Sequence, residues 1–323
     1  MTWLVWRPYR TQTLLTAALT SALVLVLVIT GIHMSSAYHA AQAACATSHS
    51  CGSLRLFTAG GYSALSVIVT LTIAVPALLG LFWGAPLVAA ELEQGTHQFI
   101  WTQGVTRGRW LAAKISWILA AAALWGGVVA AAVTWWSGTD NTINGDRFYN
   151  PLKFATQGVV PVAYAVFAVA AGVAAGAVFR RILPALGVTL AGFAALLVVL
   201  QTVVRPHYLP AVTRTLPLAG ASIPGSSWIL TGTIIGPART AVGYIGNGSG
   251  NWAISGMPAD CNAVAHNQAS AWSCLSAHGY HAVLTYQPGT RYWAFQGIES
   301  GIFLALAALL VALTIGLIIR RDA

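Results

Sequence analysis

The sequence predicts an all-α polytopic membrane protein: six transmembrane helices, an N-terminal interfacial helix, and a large extracytoplasmic loop between spans five and six. Three observations predict it. Of 323 residues, 57% are hydrophobic and only 7% charged, whereas soluble domains average about 45–50% apolar and about 25% charged. Six segments meet the requirement of about 20 apolar residues for crossing a hydrocarbon core. The basic residues fall in ones and twos at the ends of those segments.

The six segments are 13–33, 65–89, 112–136, 157–179, 182–204 and 298–319, and none carries Lys, Arg, Asp or Glu in its central part. A β-barrel would alternate apolar and polar residues. Runs such as "SALVLVLVIT" and "GIFLALAALLVALTIGLII" are instead apolar on every face. The spans are therefore read as helices, which satisfy their own backbone groups in lipid.

Orientation follows from Lys and Arg. With both termini cytoplasmic, the inner segments hold Arg7, Arg10, Arg107, Arg109, Lys114, Arg180, Arg181, Arg320 and Arg321. Arg55, Arg147, Lys153, Arg205, Arg214, Arg239 and Arg291 are spread thinly over the longer outer segments. Short loops count most, and "FRRILPA" between spans four and five marks the inner side. The net charge of +9 is then a positive-inside signal and a contact with anionic headgroups, not a nucleic-acid surface.

The cysteines agree with this orientation. Cys45 and Cys51 fall in the first outer loop and Cys261 and Cys274 in the last, the compartment where disulfides persist. Two local pairings are expected. The alternatives are free pairs, or a metal site shared with His49, His266 or His278.

The N-terminus resembles a signal peptide, but the apolar stretch Leu14–Ile32 exceeds the usual core of about 7–15 residues. An uncleaved first span is expected. Ahead of it, Trp3, Trp6 and Tyr9 with Arg7 and Arg10 suit a short helix in the inner interface. The chain accordingly divides into 1–204, with spans one to five and an inner connection at 90–114; 205–297, an extracytoplasmic domain; and 298–323, span six and an inner tail. The middle piece holds seven of the 13 prolines, and short surface helices pinned by Cys261–Cys274 are expected there.

Several chemistries are missing. The sequence has no G-x-x-x-x-G-K-[ST] phosphate loop, no H-E-x-x-H and no G-x-S-x-G elbow. "HGYH" at His278–His281 has no carboxylate beside it. No catalytic residue, metal or cofactor is therefore assigned to this chain. Ion-coupled carriers usually place ionisable residues within their spans. Here Gln201 reads as the deepest strongly polar side chain, with Lys114 and Glu299 at span ends. Phe82, Trp83, Phe193 and Gln201 are the candidates for lining a path, and "GVAAG" at Gly172–Gly176 permits close helix contact, within or between chains.

One connection stands apart: "ELEQGTHQFIWTQGVTRGRWLAAK", Glu91–Lys114, gathers five charges in a chain that avoids them. Gly95 ends span two and Thr96 caps a short helix carrying Phe99, Ile100 and Trp101; Gly104 ends that helix and Thr106 caps span three. Glu91 and Glu93, two residues apart, point to nearly opposite helix sides, so one grips the scaffold and the other faces the cytosol. A plain solvated turn is the alternative.

This stretch resembles the connection between spans two and three in actinobacterial permeases of the ABC-2 type. The six spans, the inner "RR" before span five and the large loop before span six resemble them too. The resemblance implies an exporter-type permease in a bacterial plasma membrane. Its connection, formed here by Glu91, Glu93, Gly95, Thr96, Arg107, Arg109 and Lys114, would be a coupling helix on a separate ATPase that holds the ATP and Mg. It also implies a second permease copy, identical or paralogous. The expected function is export of an amphiphilic or hydrophobic cargo. The rivals are a stand-alone secondary carrier or channel, and a receptor or structural protein that binds a ligand through 205–297.

Overall fold

The computed structural model describes residues 2–48, 67, 69, 71–94, 107–219, 226–245, 252–255, 257–263 and 268–321. The helices are α1 (Thr2–Ser48), α2 (Ala74–Leu79), α3 (Ala85–Gln94), α4 (Arg107–Asn144), α5 (Pro151–Thr156), α6 (Val160–Phe179), α7 (Ile182–Val199), α8 (Ala259–Ala263), α9 (Gln268–Ala277) and α10 (Tyr292–Arg321). A π-turn, Gly80–Gly84, joins α2 to α3, and a second, Leu200–Val204, follows α7. The strands are β1 (Val212–Pro217), β2 (Trp228–Ile235), β3 (Ala241–Ile245), β4 (Trp252–Ile254) and β5 (His281–Gln287). The chain forms two compact units: a helical one of Met1–Asn144, Ala155–Leu200 and Gln296–Ala323, and a second of Gly145–Phe154 and Gln201–Phe295.

Among the described residues, five helices are long and apolar enough to cross a membrane: Leu14–Thr47, Leu111–Thr142, Val160–Phe179, Ile182–His207 and Gly289–Arg320. The segment expected at 65–89 is represented among the described residues by the shorter apolar helix Ala74–Ala90. The separate N-terminal interfacial helix is corrected, because α1 runs unbroken from Thr2. The helix runs through Pro8, in its second turn, without a break.

In the helical unit α6 is central, with fourteen of its 20 residues buried. Its Ala165, Val169, Val173 and Ala177 form a ridge at four-residue spacing. That ridge packs against Leu79, Trp83 and Leu87, and against Leu111, Ile115 and Ala122 of α4. Because lipid is as apolar as these side chains, close packing rather than water exclusion must hold the helices together. Glycines permit it. A Cβ on Gly84 would stand 2.5 Å from the Val169 carbonyl oxygen, and one on Gly176 2.6 Å from that of Ala85. The "GVAAG" stretch therefore makes its close contact within the chain. Between α1 and α4, Gly31 admits the Trp135 ring, and the Trp136 indole N–H donates to Thr30 Oγ1 at 3.1 Å.

The second unit corrects both the all-α fold class and the short-helix reading of 205–297. It holds an antiparallel sheet in the order β1-β5-β2-β3-β4. "WILTGTII" is rich in β-branched residues, which suit a pleated surface. Its alternation is interrupted because the β2–β5 register shifts between Ile229 and Thr231. Leu218, Ile234, Leu284 and Tyr286 pack under α8 and α9 through Cys261 and Leu275, and a disulfide joins Cys261 to Cys274. Cys45 is also disulfide-bonded, to a partner outside the described residues.

Residues 145–154 belong to this unit. Phe148 meets Phe295, Trp228 and Tyr292 at ring centroid distances of 5.0, 5.8 and 6.1 Å. The buried Arg205 guanidinium lies 4.1 Å over the Phe154 ring, a cation–π contact whose worth rises when water is excluded. Lys153 Nζ pairs with Asp146 Oδ1 at 2.6 Å. Burial first, and then the Asp146 carboxylate, holds the Tyr149 hydroxyl above its ordinary value, with Lys153 opposing.

Candidate functional site

The 95–106 stretch, including Gly95, Thr96, Phe99 to Trp101, Gly104 and Thr106, lies outside the described residues, as do the side chains of Glu91 and Arg107. Its two flanks are described. On the first, Glu93 near the end of α3 is exposed and reaches α7. α7 begins after an extended Arg181 that offers no side-chain cap. Glu93 Oε2 accepts a hydrogen bond from the Ile182 backbone N–H at 3.2 Å. The carboxylate satisfies an orphan donor and complements the positive end of the helix dipole.

On the second flank, Arg109 is exposed while Lys114 is only 4% exposed. Lys114 Nζ donates to the Leu87 carbonyl oxygen of α3 at 2.9 Å. Burying an ammonium requires such acceptors, so Lys114 ties α4 to α3 inside the unit. The turn from α6 to α7 closes through Arg180, in the left-handed region at φ 53°, whose N–H donates to Gly176 O at 3.0 Å. Thus α3, α4, α6 and α7 meet at one end of the helical unit.

The four path candidates sit in different settings. Phe82 is 61% exposed, whereas Trp83 and Phe193 are buried in packed core. Phe193 meets Tyr164 and Phe167 at 6.1 and 6.4 Å. Gln201 belongs to the sheet unit.

Two other polar side chains are more completely enclosed by the protein than Gln201. Gln296 and Glu299 are both 0% exposed, while Gln201 is only partly buried. Gln296 Oε1 accepts from the backbone N–H groups of Val159 and Val160, both at 3.0 Å. The hydroxyl of Thr134 accepts from Gly158 N–H at 2.9 Å. The start of α6, which lacks a side-chain cap of its own, is therefore capped by α4 and α10. The Tyr164 hydroxyl donates to Glu299 Oε1, and Asn141 Nδ2 donates to Gln157 Oε1 at 2.8 Å. The readable signal was the i, i+3 spacing of Gln296 and Glu299, which puts both on one helix face.

Long apolar helices tied end to end by such caps define an integral membrane protein of the polytopic class. The family described as ABC-2 membrane transporter related matches residues 17–205, more than half of the sequence, and the chain belongs to it. No curated protein and no solved structure matches the chain.

Proposed function

We propose that the chain is the permease subunit of an ATP-driven exporter of the ABC type, moving an amphiphilic or hydrophobic cargo outward. In this reading a separate ATPase supplies ATP and Mg chemistry and docks on the cytoplasmic 90–114 connection, with both termini on the same side of a bacterial plasma membrane. A second permease copy, identical or paralogous, completes the path.

The observation that carries the proposal is the Glu93–Ile182 hydrogen bond, supported by Lys114 on Leu87 and by the family match over residues 17–205. A push on the connection is transmitted by the first contact to α7 and by the second to α3 and α4. Arg109, exposed on the same flank, is available to an acidic partner. The test is co-purification with an ATPase subunit and stimulation of its ATP hydrolysis by reconstituted permease. A chain that recruits no nucleotide hydrolase ends the proposal.

Glu299 favours a second reading, a gradient-driven carrier, because an ionisable residue fully buried among spans is a proton-site hypothesis by default. Transport abolished by a protonophore, in vesicles free of nucleotide, would select it.

A further inference from the structure

We propose that Asp260, Cys261, Cys274 and His278 form a redox-gated zinc site: a disulfide clasp when oxidised and a tetrahedral zinc clasp when reduced. The four ligand atoms lie within 4.8 Å of one another. Zinc bonds of about 2.0–2.3 Å to N, O and S place tetrahedral neighbours about 3.3–3.8 Å apart. Two edges of the group approach that spacing. His278 Nε2 stands 3.2 Å from Asp260 Oδ2, and Cys274 Sγ 4.0 Å from Asp260 Oδ2. A third edge, between the two sulfurs, is closed by the disulfide.

The histidine supplies a second, independent observation. Its Nδ1 lies 2.9 Å from the Cys274 carbonyl oxygen, an acceptor, so Nδ1 carries a hydrogen. That outer-shell bond leaves Nε2 as the ligand nitrogen, the arrangement metal-binding histidines use. Nε2 in turn stands 3.2 Å from an Asp260 carboxylate oxygen, and one divalent cation fits these two donor atoms. Cys274 and His278 are four apart on one helical turn, as the local fold requires for two ligands on one face.

The chemistry balances with an external dithiol. The dithiol gives two electrons and two protons, becoming a disulfide, while the Cys261–Cys274 bond breaks into two thiols. Zinc then displaces both thiol protons. The disulfide sulfurs are poor donors, so the oxidised form takes no metal, and only the thiolates join Asp260 and His278. Thiolate and imidazole together select zinc over magnesium or calcium.

The test uses the full-length protein in detergent as C45S/C51S, in which Cys261 and Cys274 are the remaining cysteines. Zinc is titrated against a chromophoric chelator before and after reduction, with thiols counted. One zinc per chain is expected only after reduction, with two sulfur ligands by X-ray absorption. H278Q, at a side chain 43% exposed, should weaken binding at least about a hundredfold, since even outer-shell partners are worth about 10–100-fold. If C45S/C51S does not fold, loss of one zinc equivalent between reduced wild type and C261S/C274S reads the same site. No zinc after verified reduction overturns the proposal. Equal zinc in the oxidised protein, or binding indifferent to H278Q and D260N, overturns it too.

Discussion

Glu93 Oε2 accepts a hydrogen bond from the Ile182 N–H at 3.2 Å, so a residue of the charged connection caps a helix that begins 89 positions later. A carboxylate at a helix N-terminus acts through both the orphan donor and the dipole. Because the pair is exposed, its worth to stability is small, and its value lies in geometry. E93A is expected to leave the melting temperature nearly unchanged while reducing ATPase stimulation in a reconstituted complex; E93Q, which keeps an acceptor, should fall between. Full stimulation by E93A would remove Glu93 from the coupling path.

Lys114 makes the opposite prediction. It is buried, with its ammonium on the Leu87 carbonyl. K114M should cost about 1–3 kcal/mol, the usual cost of stranding a buried polar group. The loss should appear as a lower melting temperature in detergent, before any transport defect is read.

Glycine positions in the helical unit divide by what a methyl group would meet. G84A and G176A place a Cβ 2.5 and 2.6 Å from backbone oxygens, and overpacking of this kind costs about 1–3 kcal/mol. Gly187 and Gly192 have nothing within 4 Å. G187A and G192A should therefore be neutral or slightly stabilising, as helix propensity favours alanine. Thermal melts of the four variants check the contrast.

Gln296 caps α6 from α10 with one oxygen on two N–H groups. Q296L preserves most of the volume and strands both donors. A loss of about 1–3 kcal/mol is expected from unsatisfied buried amides. Hydrogen exchange should quicken at Val159 and Val160. Unchanged exchange there would show that the cap does not hold the start of α6.

The sequence determined the parts of this protein that depend on composition and length. A charge content of 7% is too low to solvate a surface, so long apolar helices follow, and all five candidate spans overlap segments drawn from hydropathy. Gly172 and Gly176 announced a close helix contact, because only a missing Cβ lets two backbones meet.

Tertiary structure alone decided which faces meet and which polar groups pair. Helices apolar on every face carry no stripe to mark their inner side, so the centrality of α6 and its partnership with the Gly80–Gly84 turn were not readable. The caps from Glu93, Thr134 and Gln296 join positions far apart in the chain. Their partners are backbone N–H groups, which every residue carries and no sequence pattern distinguishes. The sheet was hidden for a related reason: the register shift in β2 breaks the two-residue period, and strand pairing between β2 and β5 is fixed only when distant segments meet.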